Sequence, residues 1–141
     1  MSDRFTNRNP DRPGFWYLAT PYSNYPIGIE AAFKLACWQS GALIRAGVPV
    51  FSPIAHSHPI AMACRMDPLD HDIWLPLDMP MMDAARGLIV CMAEGWDTSY
   101  GVRVETETFR KAGKQIVYMR LGEVPAELTA PRAITAVITP R

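Results

Sequence analysis

Apolar residues along the chain follow two patterns: short continuous runs, and longer stretches in which they recur every three or four positions. Continuous runs bounded by polar residues, glycine or proline are typical of strands covered on both faces of a sheet. The predicted strands are residues 15–19, 48–51, 87–92 and 115–119. Helical spacing predicts helices over 29–46 and 100–112, and a glycine directly follows each of them as a stop signal.

The remaining segments lack a long apolar pattern. Residues 1–14 are polar and predict a flexible tail. Residues 52–69 carry three prolines and two histidines, which predicts a long functional loop. A helical turn at 70–74 and a short helix at 81–86 are expected on either side of two further prolines, and 133–138 is a possible fifth strand.

Alternation of strands and helices predicts the α/β class, with a parallel sheet. We expect a single domain over residues 15–141, with a Rossmann-like or flavodoxin-like sheet of four or five strands and helices on both faces. Ligands of such sheets bind beyond the carboxyl ends of the strands. Those ends lead into residues 20–24, 52–58 and 93–99, which are rich in polar and small side chains.

Composition narrows the class of protein and of partner. A chain of 141 residues that is 49% hydrophobic and 20% charged is typical of one globular domain. Its 14 basic and 14 acidic residues form no basic stripe, which argues against a nucleic-acid polymer or an anionic membrane as partner. No run approaches the ~20 apolar residues of a membrane helix. The first residues also lack the apolar core of a signal peptide, so we expect a cytoplasmic location.

The sequence indicates neither a disulfide framework nor a cofactor. The three cysteines are odd in number and far apart. No G-x-G-x-x-G follows the first strand, and there is no P-loop. A metal-dependent hydrolase that uses His56 and His58 together with His71 or Asp72 stays open, although such spacing arises easily by chance.

Glu105 is the carboxylate that its helix explains least. Three residues before it stands Val102 and four after it stands Phe109, so Glu105 lies on the apolar stripe of the predicted helix. Glu107 instead shares a polar face with basic residues, so it is explained as a solvent-exposed residue that pairs with them. A carboxylate that faces inward at the binding edge of a sheet suits a nucleophile or general base. The structural alternative is a glutamate paired with backbone groups or with a buried arginine.

Asp78 is the second candidate, because it is the only charged residue within 74–82. Its alternative role is a helix N-cap ahead of Pro80, which the first turn of a helix tolerates. The two roles are compatible.

Four segments together resemble the nucleoside 2-deoxyribosyltransferase superfamily, which includes 2'-deoxynucleoside 5'-phosphate N-hydrolases. They are residues 17–23 (YLATPYS), 52–56 (SPIAH), Asp78, and 99–105 (SYGVRVE). The likeness covers about residues 17–119 and is nearest to an uncharacterised bacterial and phage branch. Each motif alone is weak, whereas four in this order and spacing are moderately specific.

The resemblance implies roles for individual residues. Glu105 matches the nucleophile, Asp78 the carboxylate that handles the base or donates a proton, and Tyr17 a tyrosine beside the nucleophile. His56 matches a pocket histidine, and Ser99 a serine that contacts a 5'-phosphate. With Trp96 of the third loop as a flat surface for a base, the candidate substrate-binding residues are Thr20, Pro21, Tyr22, Ser23, His56, Trp96, Ser99 and Gly101.

The function expected from these residues is cleavage or transfer of the N-glycosidic bond of a nucleoside or nucleoside 5'-monophosphate. The carboxylate would stabilise or attack the cationic anomeric carbon, and an acid would protonate the departing base. Hydrolysis and transfer both stay open, as does the need for a 5'-phosphate. A nucleotide-binding sensor without catalysis is the alternative. Relatives assemble as dimers or larger, and the Met- and Trp-rich residues 74–82 suit such an interface.

Overall fold

A computed structural model describes residues 14–129, which form a parallel sheet with helices on both faces. The strands are β1 (Trp16–Ala19), β2 (Val50–Phe51), β3 (Gly87–Cys91) and β4 (Gln115–Met119). The helices are α1 (Ile29–Arg45), α2 (Pro53–Cys64), α3 (His71–Ala84), α4 (Tyr100–Lys111) and α5 (Ala126–Thr129), with a short 3-10 helix at Trp96–Thr98. The predicted single-domain α/β class is confirmed.

The strand order is β2-β1-β3-β4, and every neighbouring pair is parallel. In the central register Tyr17 lies opposite Leu88, and Leu88 lies opposite Ile116. Since β1 and β3 are adjacent, the loops that follow them emerge side by side at the carboxyl edge. This edge is where open α/β sheets bind ligands.

Alternate side chains of each strand point to opposite faces and so build two separate cores. Leu18 and Ile89 pack on the face that α1 covers, together with its Leu35 and Leu43. The residue before Leu18, Tyr17, belongs to the other face, which contains Val102 and Phe109 of α4. The strands β1 and β3 read as continuous apolar runs because both of their faces are buried.

Gly87 allows β3 to pass close to its neighbours. A Cβ at this position would lie 2.5 Å from a ring carbon of Trp16 and 2.8 Å from the carbonyl oxygen of Gln115. Those distances are well inside van der Waals contact. The start of the central strand therefore requires glycine for space rather than for an unusual backbone angle.

The predicted loop over 52–69 is wrong, because residues 53–64 form helix α2. Ser52 caps it by accepting a hydrogen bond from the amide of Ala55 (3.0 Å), and Pro53 occupies the first turn, where a missing N–H is harmless. Pro59 lies inside the helix. The prolines that indicated a loop thus include one that starts a helix and one that the helix tolerates.

Helix α3 likewise replaces the predicted turn at 70–74 and the short helix at 81–86 with one continuous helix. Pro76 and Pro80 lie within it. Tertiary contacts hold its two ends. The indole of Trp74 donates to the carbonyl of Asp67 (2.8 Å), and the Lys114 ammonium donates to three carbonyls at the C-terminal end. These contacts offset the backbone hydrogen bonds that proline removes.

The other predicted elements agree with the structure to within two residues at each end. The possible strand at 133–138 and residues 1–13 of the predicted tail lie outside the described residues. Among residues 14–129, no helix combines the length and hydrophobicity needed to cross a bilayer.

Candidate functional site

A cavity of about 860 Å³, counted out to its open mouth, lies at the carboxyl edge of the sheet. Its walls come from the loops after β1 and β3, from α2, from the segment before α3, and from α3 and α4. The predicted site residues that line it are Thr20, Tyr22, Ser23, Asp78, Ser99, Gly101 and Glu105. Apolar side chains complete the walls, among them Ile54, Leu69, Trp74, Leu75, Met82 and Val104.

Glu105 is held at the cavity wall by the packing of α4 and by Tyr17. Val102 and Phe109, on the same side of the helix, are buried in the core. The hydroxyl of Tyr17, a fully buried residue of β1, donates a hydrogen bond to Glu105 Oε2 at 3.0 Å. The Tyr17 ring packs against Phe51 and Phe109, with centroids 5.9 and 5.6 Å away. The carboxylate therefore has a fixed position relative to the sheet.

Glu105 and Asp78 both have raised pKa values. Burial raises the pKa of Glu105 to about 8, although the Tyr17 hydrogen bond lowers it, and the nearby Asp78 raises it further. Burial also raises the pKa of Asp78 to about 6. Near neutral pH these values place the proton on Glu105 and leave Asp78 ionised, so a reaction that uses Glu105 as the anion first moves the proton from Glu105 to Asp78.

Tyr17 remains a proton donor throughout this range. Burial, followed by the charges of Glu105 and Asp78, places the pKa of its hydroxyl far above the usual value. Its hydrogen bond can therefore stabilise negative charge on Glu105 at any physiological pH.

Two buried polar atoms at the cavity have no hydrogen-bond partner among the described residues. They are Asp78 Oδ1 and Thr20 Oγ1. Thr20 directly follows β1, and Asp78 lies on α3 across the cavity. Buried polar groups are almost always paired in folded proteins. Both atoms are therefore available to pair with water or with a polar ligand in the cavity.

The N-terminus of α4 forms another part of the wall. The Ser99 side chain caps this helix by accepting a hydrogen bond from the Val102 amide (3.2 Å). A helix N-terminus carries partial positive charge and attracts anions. Among the described residues that line the cavity there is no lysine or arginine.

Tyr22 of the cavity wall is also the first of three side chains linked by hydrogen bonds, the other two being His58 and Glu30. Its hydroxyl lies 2.5 Å from Nδ1 of His58, and Nε2 of His58 lies 3.0 Å from Oε1 of Glu30. His58 is buried, whereas the Glu30 side chain is 65% exposed. Burial, and then the Glu30 charge, raise the pKa of Tyr22 to about 12.

Four predicted site residues do not line the cavity. Tyr17 lies beneath Glu105, and Pro21 is fully buried. Trp96 lines a neighbouring groove, where its ring packs against Tyr118. His56 is exposed on α2, with its ring 5.8 Å from that of Phe51.

The helical form of α2 explains the placement of the histidines. In a helix, positions 54, 57 and 58 share one side, and position 56 points away from it. Ile54 and Ser57 line the cavity, and His58 is buried beside it. Sequence reasoning offered His58 only as a possible metal ligand and took His56 as the pocket histidine, because it treated the segment as a loop. The apolar residues of 53–64 show almost no helical periodicity, so no local signal marked this helix or the side on which His58 lies.

The geometry of the described residues does not bring metal ligands together. Within residues 14–129, no group of three histidine, cysteine, aspartate or glutamate side chains is placed to hold a metal ion. Both ring nitrogens of His58 already form hydrogen bonds, one with Tyr22 and the other with Glu30. His71 packs against the ring of Tyr100 at 5.0 Å.

Comparison with known families agrees with the extent of this fold. The model of the family described as "Domain of unknown function (DUF1937)" matches residues 14–121. The chain belongs to the DUF1937 family. The match spans all four strands, α1 to α4 and both cavity carboxylates of this DUF1937 domain. A search of curated proteins gives no match to the chain.

Proposed function

We propose that this DUF1937 protein cleaves or transfers the N-glycosidic bond of a nucleoside or nucleoside 5'-monophosphate. The observation that carries the proposal is the pairing of Glu105 with the Tyr17 hydroxyl (3.0 Å) at a cavity that also contains Asp78. Two carboxyl groups that share one proton near neutral pH meet the needs of glycosidic chemistry, which uses an acid and an anion together. The resemblance of the surrounding motifs to nucleoside 2-deoxyribosyltransferases supports the same reaction.

In the proposed reaction, Glu105 attacks the anomeric carbon of the sugar. The C–N bond to the base breaks, its electron pair leaves with the base, and the proton of Asp78 neutralises the leaving nitrogen. A covalent glycosyl ester on Glu105 results. Attack by water then gives the free sugar and a proton, whereas attack by a second base gives a new nucleoside.

Tyr17 supports the ionised form of Glu105 during this step. Positive charge develops at the anomeric carbon and favours a carboxylate beside it. The tyrosine donor at 3.0 Å acts in the same direction. Together they draw the shared proton towards Asp78, where the base departs. Release of Glu105 as a leaving group in the second step uses the same hydrogen bond.

Other parts of the cavity suit the remaining portions of a nucleoside. Trp74 and Leu75 of α3 and Val104 of α4 offer apolar surface to a planar base. Thr20 supplies an unpaired hydroxyl for the sugar. A 5'-phosphate would bind at the N-terminus of α4, beside Ser99, through backbone and hydroxyl groups.

We further propose that the protein acts as a homodimer or larger assembly. Large apolar residues are exposed along α2, along α3 and between them, and single scattered residues of this kind would need no explanation. They are Ile60, Met62, Met66, Leu69, Leu75, Leu77 and Met79. Light scattering at working concentration tests the proposal, and a monomer would contradict it.

The test of the proposed activity is a screen of nucleosides and their 5'-monophosphates with detection of free base by mass spectrometry. Glu105→Gln should lower turnover by a factor of roughly 10³ or more, because the amide cannot attack carbon. Glu107→Gln, an exposed change on the same helix, is the matched control and should leave turnover unchanged.

Unchanged turnover in Glu105→Gln would contradict the proposed role of this residue. If a nucleotide raises the thermal stability of the protein but no base is released over long incubation, the protein is a binding module rather than an enzyme.

A further inference from the structure

We infer that Tyr22, oriented by His58 and Glu30, recognises a sugar hydroxyl of the ligand as a hydrogen-bond acceptor. This inference rests on the proposed function, since it assigns a part of the same cavity to the same class of ligand. Tyr22 lines the cavity, whereas His58 and Glu30 lie behind it. His58 and Glu30 are therefore positioning residues that act through Tyr22.

The direction of the hydrogen bonds follows from Glu30. An ionised carboxylate can only accept, so the hydrogen between Glu30 Oε1 and His58 Nε2 belongs to the ring nitrogen. In the neutral ring Nδ1 is then an acceptor. With this neutral tautomer, the Tyr22 hydroxyl, 2.5 Å from Nδ1, donates its only hydrogen to the ring. What Tyr22 offers the cavity is an oxygen lone pair, so its partner in a ligand must be a donor.

The set is rigid as well as directional. Phe33 of α1 stacks on the His58 ring, with a centroid distance of 4.6 Å and planes 18° apart. Tyr22 meets the same ring edge-on at 5.8 Å. The imidazole, 2% exposed, is thus fixed on two sides. A fixed imidazole fixes the hydroxyl, and the hydroxyl fixes the position of a ligand donor.

The chemistry of the cavity favours a sugar hydroxyl as this donor. Glu105 must face the anomeric carbon in the proposed reaction, so the sugar ring lies within the cavity that Tyr22 and Ser23 also line. A sugar hydroxyl can donate to Tyr22 and at the same time accept from another group. The same contact favours the sugar that carries the hydroxyl over its deoxy counterpart.

The experiment combines a protein change with a ligand change. Binding of a nucleoside that releases base, or of one that binds if none does, and of its 2'-deoxy, 3'-deoxy and 5'-deoxy forms, is measured by calorimetry in the slow Glu105→Gln background. Tyr22→Phe should weaken binding of the parent nucleoside by roughly three- to tenfold. For the one analogue that lacks the contacted hydroxyl, Tyr22→Phe should have no further effect.

Steady-state kinetics in the otherwise unchanged protein provides a second readout. Tyr22→Phe should raise KM by a similar factor and change kcat less, because the contact exists before the reaction starts. The matched control is Tyr118→Phe, which removes a hydroxyl outside the main cavity and should leave KM unchanged. Equal losses for every analogue, or no loss, would overturn the recognition role.

The positioning roles have their own test, which needs no ligand. Nitrogen-15 NMR of the histidine side chains should show hydrogen on Nε2 and a bare Nδ1 in His58 at pH 8. Glu30→Ala should weaken this preference and raise KM, whereas Glu30→Gln, which still offers an oxygen to Nε2, should largely restore both. A hydrogen on Nδ1 in the unchanged protein would overturn the inference.

Failure of the proposed function would look different. If no nucleoside releases base but the Tyr22 and hydroxyl changes still depend on each other, Tyr22 is an acceptor in a binding module. If base is released but the two changes act independently, the glycosidic proposal stands and the role of Tyr22 is overturned. Binding of none of these nucleosides would overturn both.

Discussion

The raised pKa of Glu105 has a consequence for stability that needs no substrate. A carboxyl group whose pKa is higher in the folded than in the unfolded protein takes up a proton on folding across the interval between the two values. For Glu105 that interval runs from 4.5 to about 8. Because the folded state binds more protons there, the free energy of unfolding falls as pH rises through the interval.

The substitution Glu105→Gln removes this dependence and keeps an oxygen that accepts from Tyr17. At about 1.4 kcal/mol for each tenfold change in the acid dissociation constant, the interval corresponds to at most about 5 kcal/mol. The effective dielectric constant of buried protein sites is higher than that of a dry interior, which reduces this value. We therefore expect the variant to gain about 2 kcal/mol over the unchanged protein between pH 5 and pH 9.

Urea unfolding at one-unit steps of pH measures the effect as the difference between the two proteins. Other titrating groups cancel in that difference. Glu107→Gln, on the exposed side of the same helix, is the control and should follow the unchanged protein. If the curves for Glu105→Gln and the unchanged protein stay parallel from pH 5 to pH 9, Glu105 is hydrated like a surface residue, and the reasoning about a shared proton fails.

Three further predictions address the reaction and the scaffold. The pH profile of kcat/KM should be bell-shaped, with one limb at a pH of about 6 and the other at about 8. Asp78→Asn should be slower and keep only the rise with pH, and a flat profile in the unchanged protein would contradict the proposed acid and nucleophile. Lys114→Met should lower the free energy of unfolding by about 2 kcal/mol in urea titrations, because three carbonyls at the end of α3 lose a charged donor; no change would assign the lysine to solvent. Gly87→Ala should destabilise by about 2 kcal/mol through its clash with the Trp16 ring, whereas Gly41→Ala in α1, where the methyl has ordinary contacts, should stabilise slightly in the same thermal unfolding measurement.

Strands were the most predictable part of the fold. Both faces of β3 are buried, so its five residues are apolar without interruption and no other element fits them. Helix α4 was equally clear, because Val102 and Phe109 fix its buried side. The same apolar stripe is enough to single out Glu105 from the amino-acid sequence alone.

Helices α2 and α3 could not be predicted from the sequence because both contain prolines. Local propensity disfavours proline inside a helix by about 3 kcal/mol. Contacts distant in sequence offset that preference here, such as the link from Lys114 to the end of α3. No local signal carries this information. The role of His58 was lost for the same reason, since its direction depends on the helix around it.

The two carboxyl groups of the cavity belong to two helices that are held in place by different contacts. Glu105 belongs to α4, which is packed into the core of the sheet, whereas Asp78 belongs to α3, which Trp74 and Lys114 hold near its two ends. In the proposed reaction Glu105 of α4 attacks the sugar, and Asp78 of α3 donates its proton to the departing base. If the proposal holds, mutations of α3 residues other than Asp78 should alter which base is accepted more than they alter the attack on the sugar. Under the proposed function, base preference is then free to diverge among family members while the attack on the sugar stays the same.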